Sequence, residues 1–254
     1  IQTTEGDWWS VFLACRPINN RFENLGRETF LMPVRWSDDG FPYMTQGDQV
    51  IPMINKREGV KRSDNVTFGN FGVTEEFEDS ILGMQWMTLR GLATDLYSLT
   101  ETPGYLTLKC APKSTKEFCV PAFVSRRMQH HEFVAATRMY FNPECADEKA
   151  GILLFKDETH QYFMAVSGSD ERKISLIQIG REDDKVLAMN ELPEDAVKFD
   201  LKVISKGLTY DFLYSLDGGK KWNTLCQNVD ASYLSTTLAG GFTGSTIALY
   251  ATNK

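Results

Sequence analysis

The sequence lacks a long hydrophobic run, and its charge is predominantly negative. No stretch of 18 apolar residues occurs among the 254, so a membrane-spanning helix is not expected. The net charge is −7, and nucleic acid is a poor partner for that balance because phosphate binding needs clustered Lys and Arg. Neutral sugars and other small uncharged ligands remain compatible with an acidic surface.

A leader segment is not recognisable at the start of the chain. The first residues, IQTTEGDWW, contain neither a basic region nor an apolar core, so no signal peptide is predicted in this sequence. A mature or truncated chain would begin the same way, and the periplasm, the cell exterior and the cytoplasm all remain open as compartments.

The five cysteines do not form a metal or redox motif. No two stand at C-x-x-C spacing, which excludes a zinc ribbon and a thioredoxin motif. Cys110 and Cys119 flank APKSTKEF, a predicted hairpin, and could pair across it. The alternative is five buried free thiols. An odd count leaves at least one thiol free or paired between chains.

Motifs for nucleophilic catalysis are also missing. The sequence contains no G-x-S-x-G elbow, no P-loop and no G-x-G-x-x-G, and it has only three histidines. His130 and His131 are adjacent, which on a strand would place their rings on opposite faces and prevent them from binding one metal. We therefore interpret them as polar residues near a strand or turn.

Acidic residues are plentiful, but no pair stands out as the two carboxylates of a glycosidase. The stretch EEFED contains Glu75, Glu76, Glu78 and Asp79, which could include oxygen ligands of a structural calcium ion. The alternative is a solvated acidic surface.

Short apolar bursts separated by Gly, Asp and Asn run through most of the chain. Examples are WWSVFLAC, FVAATRMYF, AGILLFKD, QYFMAVSG, KISLIQIG and STIALYAT. Most alternate apolar and polar residues, which predicts half-buried strands. YSLDGGKKW predicts a hairpin, because its glycines supply the positive φ of a tight turn. With no amphipathic helix longer than two turns, the fold class is all-β.

The composition changes near residue 55. Residues 1–54 contain three of the five tryptophans, Trp8, Trp9 and Trp36, and four of the nine prolines. The basic run NKREGVKR opens a polar stretch, 55–70, that we interpret as a solvated linker. The regular strands of 71–254 are long enough for a two-sheet sandwich. The N-terminal piece is too small to bury a core alone and needs a partner surface.

The stretch NLGRETFLMPVRW places Arg27 and Glu28 behind a glycine, where a strand begins. An arginine there is suited to donating hydrogen bonds to vicinal hydroxyls or to a carboxylate. The alternative is a structural arginine–glutamate pair. The residues alone leave both interpretations open.

Ordered segments of this sequence resemble one family. GDWWSVFLACRP and LGRETFLMPVRWSDDGFPYM resemble the last blade of the five-bladed propeller of glycoside hydrolase family 43, the β-xylosidases and α-L-arabinofuranosidases. EEFEDSILGMQWMTLRG, AGILLFKDETHQYF, FLYSLDGGKKW and YLSTTLAGGFTGSTIALYATN resemble the concanavalin-like sandwich that follows it. The resemblance implies a concanavalin-like two-sheet β-sandwich over 71–254, preceded by strands of an incomplete β-propeller over 1–54.

The resemblance also implies a function. Family members hydrolyse xylo- or arabino-oligosaccharides with inversion, and their three carboxylates lie in earlier blades, so no catalytic residue is assigned here. No cofactor is required for that chemistry. This chain alone is expected to be inactive, with the missing propeller portion or a second copy as its protein partner. The alternative function is a non-catalytic, lectin-like carbohydrate-binding module.

Two substrate-binding residues carry over from the family. Arg27 matches an arginine that bonds sugar hydroxyls in the −1 subsite, and Glu28 is then expected to support Arg27 locally. Phe242, in GGFTG, matches a sandwich-loop aromatic that closes one side of the pocket. Its alternative role is a turn aromatic packed on its own sheet. Trp8 and Trp9 are expected in the propeller core.

Overall fold

The structure, a computed structural model, describes residues 1–59 and 71–254. Residues 60–70 of the predicted linker lie outside the described residues. The described residues contain two helical segments, a 3₁₀ turn at Ala231–Leu234 and a single α turn, α1, at Thr236–Ala239. Nowhere in the described ranges does a helix combine the length and the apolar character needed to cross a membrane.

Sixteen strands make up almost all of the regular structure in these ranges. They are β1 (Trp8–Ala14), β2 (Glu28–Trp36), β3 (Pro42–Tyr43), β4 (Met87–Thr88), β5 (Tyr97–Ser98), β6 (Thr107–Leu108), β7 (Ala122–Arg127), β8 (Glu132–Tyr140), β9 (Lys149–Asp157), β10 (His160–Ser167), β11 (Lys173–Ile179), β12 (Lys185–Glu191), β13 (Lys198–Lys206), β14 (Thr209–Ser215), β15 (Asn223–Asp230) and β16 (Thr246–Thr252). The paired strands are antiparallel, as the short turn-bounded bursts predict.

Two sheets pack face to face to form a sandwich. One has seven strands in the order β12-β11-β10-β9-β16-β7-β4, and the other has four in the order β15-β14-β13-β8. The main core lies between them, with Leu154 and Met164 from the larger sheet and Phe199, Leu201 and Phe212 from the smaller. All five are buried almost completely.

A second apolar cluster covers the opposite face of the larger sheet. It includes Leu153, Phe163 and Tyr250. The segment before β7 closes over it, since the Thr115 hydroxyl donates to Gln161 Oε1 at 2.6 Å. The prediction of half-buried strands is therefore wrong for β9 and β10, because both of their faces are covered.

The predicted hairpin in YSLDGGKKW is confirmed. It joins β14 to β15, which pair in antiparallel register. Gly218 and Gly219 have φ values of 77° and 82°, the left-handed region that glycine enters without a steric penalty. Asp217 Oδ1 accepts hydrogen bonds from the Lys221 backbone N–H at 2.9 Å and from the Ser215 hydroxyl at 2.8 Å. These bonds fix the turn.

The N-terminal strands β1, β2 and β3 form a separate three-stranded sheet. Trp8 lies edge-on to Trp36, with ring centroids 5.3 Å apart. Apolar side chains remain exposed on this sheet, among them Val11, Leu13 and Leu31. The sheet therefore carries apolar surface that the described residues do not cover.

The N-terminal sheet is joined to the sandwich by the segment between β1 and β2. Leu25 is buried within the main core, and the Asn24 amide donates to the Tyr210 hydroxyl at 2.9 Å and to the Ala231 carbonyl at 2.8 Å. Arg57, which follows β3 in the sequence, forms an ion pair with Asp7 at 3.0 Å. Residues on both sides of the predicted 54/55 boundary thus contact the N-terminal sheet, and the boundary stays a prediction.

The cysteines are all free, so the structure does not contain a Cys110–Cys119 disulfide. Cys15 and Cys145 are exposed and the other three are partly buried, so the alternative of five buried thiols is wrong. His130 and His131 lie in the loop between β7 and β8, which agrees with their interpretation as polar residues near a strand or turn.

Candidate functional site

Arg27 and Phe242 meet at the junction of the N-terminal segment with the sandwich. The guanidinium carbon of Arg27 lies 3.7 Å from the centroid of the Phe242 ring. The Arg27 backbone N–H donates to the Phe242 carbonyl at 3.3 Å. Both side chains face solvent, and Phe242 is 68% exposed, so it is not a turn aromatic packed on its own sheet. The fold thus places the two predicted substrate-binding residues side by side.

Two glycines allow this approach. Gly26 has a φ of 69° and forms an isolated β-bridge with Thr243. A Cβ on Gly26 would lie 2.2 Å from the Gly244 nitrogen, and one on Gly244 would lie 2.0 Å from the Leu25 carbonyl oxygen. The two backbones can touch only because neither residue carries a side chain.

Backbone hydrogen bonds fix the same junction on both sides of the glycines. Ser245 donates from its N–H to the Asn24 carbonyl at 2.7 Å, and Thr236 donates to the Glu23 carbonyl at 3.1 Å. The loop that carries Phe242 is therefore attached to the segment that carries Arg27 at both of its ends.

Glu28 does not support Arg27 as expected. Its two carboxylate oxygens accept from Arg16, from Nε at 2.8 Å and from Nη2 at 2.6 Å. Arg16 also donates to the Gln129 carbonyl at 3.2 Å. The structural arginine–glutamate pair thus exists, but its arginine is Arg16, and the expectation for Glu28 is wrong.

Lys156 is a residue of this junction that the sequence analysis missed. It lies on β9, is 5% exposed, and donates from Nζ to the Thr236 hydroxyl at 2.8 Å and to the Thr243 carbonyl at 2.6 Å. Burial lowers the pKa of its ammonium group, while the nearby carboxylates of Glu23 and Asp157 oppose that shift. The only signal in the sequence is one lysine inside the apolar run GILLFKD.

A shallow cavity of about 860 Å³ lies beside the N-terminal sheet. Trp9, Phe30, Met53 and Ile54 contribute to its lining, together with the Arg16–Glu28 pair. Asn55 and Leu31 also belong to the lining, and the Asn55 amide donates to the Leu31 carbonyl at 3.0 Å.

The acidic stretch proposed for calcium does not converge on a site. Glu75 accepts from the Trp86 indole N–H at 3.0 Å and from the Phe77 backbone N–H at 3.2 Å. Across residues 1–59 and 71–254, no group of three or more His, Cys, Asp or Glu residues is arranged to hold a metal ion. Glu75 instead organises its own loop.

The family of beta xylosidase C-terminal Concanavalin A-like domains matches residues 74–254. The chain belongs to this family. The resemblance to glycoside hydrolase family 43 and the concanavalin-like all-β fold are thereby confirmed. The domain match begins just after the predicted linker, and the N-terminal sheet precedes it.

Relatives and solved structures match both parts of the chain. A non-reducing end alpha-L-arabinofuranosidase of Bacteroides ovatus is 28% identical over all of this chain and 47% of its own length. A xylosidase/arabinosidase of Butyrivibrio fibrisolvens is also 28% identical, over all of this chain and 48% of its own length. A solved Bacteroides ovatus family 43 protein from a xyloglucan locus superposes with a TM-score of 0.84 at 27% identity, covering 99% of this chain and 49% of that one. The family 43 chain thus spans about half the length of the curated relatives it matches.

Proposed function

We propose that this chain is the C-terminal part of a family 43 glycosidase that hydrolyses xylo- or arabino-oligosaccharides with inversion. The sandwich supports the propeller and shapes one side of the active-site pocket. The observation that carries the proposal is the contact between Arg27 and Phe242, which come from opposite ends of the chain. The names of the two curated relatives support the choice of pentose sugars.

In this proposal Arg27 binds and Phe242 encloses the sugar. The planar guanidinium presents several N–H donors in fixed directions, which suits adjacent sugar hydroxyls. The Phe242 ring lies 3.7 Å from the guanidinium carbon, and this cation–π contact restricts where the guanidinium can lie.

The chemical step belongs to carboxylates outside this chain. A general base activates water and a general acid protonates the leaving oxygen, which requires two positioned carboxylates and no cofactor. We assign neither role to an acidic residue here. A structural calcium ion does not enter the proposal, since Glu75 already accepts hydrogen bonds from its own loop.

The domain organisation follows the same proposal. Residues 1–54 are the remnant of the last propeller blade, 55–70 the linker and 71–254 the sandwich. The exposed apolar side chains of β1 and β2 then pack against the preceding blades or against a second copy. Light scattering distinguishes these arrangements, because self-association of this chain should disappear when the preceding segment is present.

The test compares this chain with the full-length protein that contains it. Release of p-nitrophenol from the β-D-xyloside and the α-L-arabinofuranoside is measured for both. The full-length protein is expected to be active and Arg27→Ala to lower its kcat/KM by about tenfold to a hundredfold, the loss of a charged hydrogen bond to substrate. Arg90→Ala is the control for losing an arginine that lies over an aromatic ring elsewhere, since the Arg90 guanidinium carbon is 5.3 Å from the Phe118 centroid.

Turnover by this chain alone that Arg27→Ala abolishes would overturn the assignment of the carboxylates to another segment. Inactivity of the full-length protein on both substrates would overturn the proposed activity.

A lectin-like module is the second candidate, favoured by the exposure of Phe242. An aromatic ring that is 68% exposed beside a cation can stack on a sugar without any chemistry. Electrophoresis through xylan-containing gels tests this function. Retardation of the isolated chain that Phe242→Ala removes supports it, and unretarded migration excludes it.

A further inference from the structure

The ammonium group of Lys156 lies beneath the loop that carries Phe242. Its two hydrogen bonds reach residues at opposite ends of that loop, the Thr236 hydroxyl at 2.8 Å and the Thr243 carbonyl at 2.6 Å. Thr243 is the residue directly after Phe242. The Lys156 side chain therefore bridges the two ends of the 236–243 loop.

A lysine in this position is costly. Its neighbours Leu153, Leu154 and Phe155 on β9 are buried and apolar, and Lys156 is itself only 5% exposed. Burying an ammonium group disfavours its charged form unless partners replace the lost water. Glu23, Asp157 and Cys15 are the titratable groups that face it, and the Glu23 Oε2 atom is buried without a hydrogen-bond partner among the described residues.

Besides the bonds of its own α turn, the loop is held between its ends by a bond from the Thr237 hydroxyl to the Arg21 carbonyl and by one from the Arg27 N–H to the Phe242 carbonyl. Gly240 and Gly241 have positive φ values of 77° and 74°, and a Cβ on either would meet no atom within 4 Å. Leu238 and Phe242 are 49% and 68% exposed. The position of the Phe242 ring thus depends on its contacts with Arg27 and on how the adjacent end of the loop, at Thr243, is held.

We propose that Lys156 is a positioning residue that holds both ends of the 236–243 loop and so sets the place of Phe242 over Arg27. The inference rests on the proposed function, because it makes Lys156 a determinant of the width of the sugar pocket. Lys156 itself does not touch substrate. It acts through Thr243, the residue next to Phe242.

A purely structural lysine would give a different result. Losing it would lower stability and leave the binding of substrate by the folded protein unchanged. A positioning lysine changes KM and the mobility of the loop in protein that remains folded. The two roles are therefore separable in one set of variants.

The experiment uses the full-length protein and the variant Lys156→Met, which keeps the length of the side chain and removes the donors. KM for the p-nitrophenyl β-D-xyloside is expected to rise about fivefold to tenfold, with kcat changed less than about threefold. The reason is that a displaced Phe242 ring weakens the binding of substrate more than it slows the chemical step. Lys156→Arg, which can still donate to both acceptors, should restore KM to near the value of the unsubstituted protein. Lys149→Met, at the other end of β9, is the matched control and should leave KM unchanged.

A second readout does not depend on activity. Brief chymotrypsin treatment followed by mass spectrometry measures cleavage after Leu238 and Phe242, which should be several-fold faster in Lys156→Met than in the unsubstituted protein. This assay still decides the inference if the protein hydrolyses neither sugar, in which case the proposed function alone fails.

Thr236→Val covers the case in which Lys156→Met does not fold. It removes one acceptor, keeps the lysine and should also raise KM and loop cleavage. Unchanged KM and unchanged loop cleavage in folded Lys156→Met or Thr236→Val would overturn the proposal. The same holds if the effects of Lys156→Met and Phe242→Ala on KM are additive, because a residue that acts through Phe242 loses its effect when that ring is absent.

Discussion

Gly26 and Gly244 touch backbone to backbone where the N-terminal segment meets the sandwich. A Cβ on Gly26 would stand 2.2 Å from the Gly244 nitrogen, closer than any real contact. Leu25, the neighbour of Gly26, is part of the main sandwich core. The junction therefore depends on the absence of two side chains as much as on the bonds around them.

Gly26→Ala should destabilise the protein strongly. The left-handed conformation costs an alanine about 1–2 kcal/mol, and the clash with backbone atoms adds to it, for a total above about 3 kcal/mol. Urea unfolding measures the change. Gly40→Ala is the control, because its φ is also positive at 81° and its Cβ would meet nothing within 4 Å. Equal losses in the two variants would contradict the close approach.

The contact of Arg27 with Phe242 should appear as a coupling energy. A double-mutant cycle of Arg27→Ala and Phe242→Ala, followed by urea unfolding, is expected to give about 0.5–1 kcal/mol, the range of exposed cation–π pairs. A second cycle that pairs Arg27→Ala with Phe118→Ala should give no coupling, since Phe118 lies beneath Arg90. A coupling of zero in the first cycle would show that the two side chains do not interact in solution.

Cys110 should react with alkylating reagents more slowly than Cys145. Burial raises the pKa of Cys110 to about 11, and the Glu148 carboxylate adds to the shift. At pH 8 only roughly one thiol in a thousand is then ionised, and the thiolate is the reactive form. Iodoacetamide followed by peptide mass spectrometry should modify exposed Cys145 long before Cys110. Labelling of Cys110 at pH 8 as fast as Cys145 would contradict this environment.

The Asp217 turn should contribute to stability at neutral pH and lose that contribution in acid. Hydrogen bonds from the Lys221 backbone N–H, and then from the Ser215 hydroxyl, lower the pKa of Asp217. A carboxyl with a lowered folded-state pKa stabilises the protein above its unfolded pKa of about 3.9 and ceases to do so as the pH falls through the folded value.

Asp217→Asn should therefore lower the melting temperature at pH 7 and make its decline below about pH 4 shallower, because the amide does not titrate. Thermal unfolding monitored by circular dichroism between pH 2 and pH 7 measures both effects. Asp170→Asn, in the exposed turn between β10 and β11, is the control and should follow the unsubstituted curve. Parallel curves for Asp217→Asn and the unsubstituted protein would exclude the proposed linkage.

Local patterns predicted most of the strands. β8, β9, β10, β11 and β16 fall within a residue or two of the apolar bursts, because alternation and turn residues are local properties of the chain. β7 and β12 were missed, and only the turn that leads into β15 was predicted. β12 and β15 lie at sheet edges and carry mostly polar or exposed residues, so their hydrophobic pattern is weak. β7 is short and mostly buried, and its sequence AFVSRR lacks the alternation of a half-buried strand.

Side-chain partners were harder to predict, and Glu28 shows why. Neighbouring residues of an extended chain point to opposite faces, so Glu28 turns away from Arg27. Glu28 stands opposite Ala14 in the β1–β2 register, and Arg16, two residues further, is its diagonal neighbour. Lys156 was missed for a related reason, because the acceptors that make a buried lysine tolerable lie 80 and 87 residues away in sequence.

The sequence by itself determined the all-β class, the hairpin at YSLDGGKKW and the relation to family 43, because periodicity, turn chemistry and ordered motifs are written along the chain. It also singled out Arg27 and Phe242 separately, through the resemblance. The tertiary structure alone decided that these two residues touch, that Glu28 pairs with Arg16, and that β9 is buried on both faces. Each of these depends on which distant backbones come together, and that is settled by the packing of the sheets and by the space that Gly26 and Gly244 leave between them.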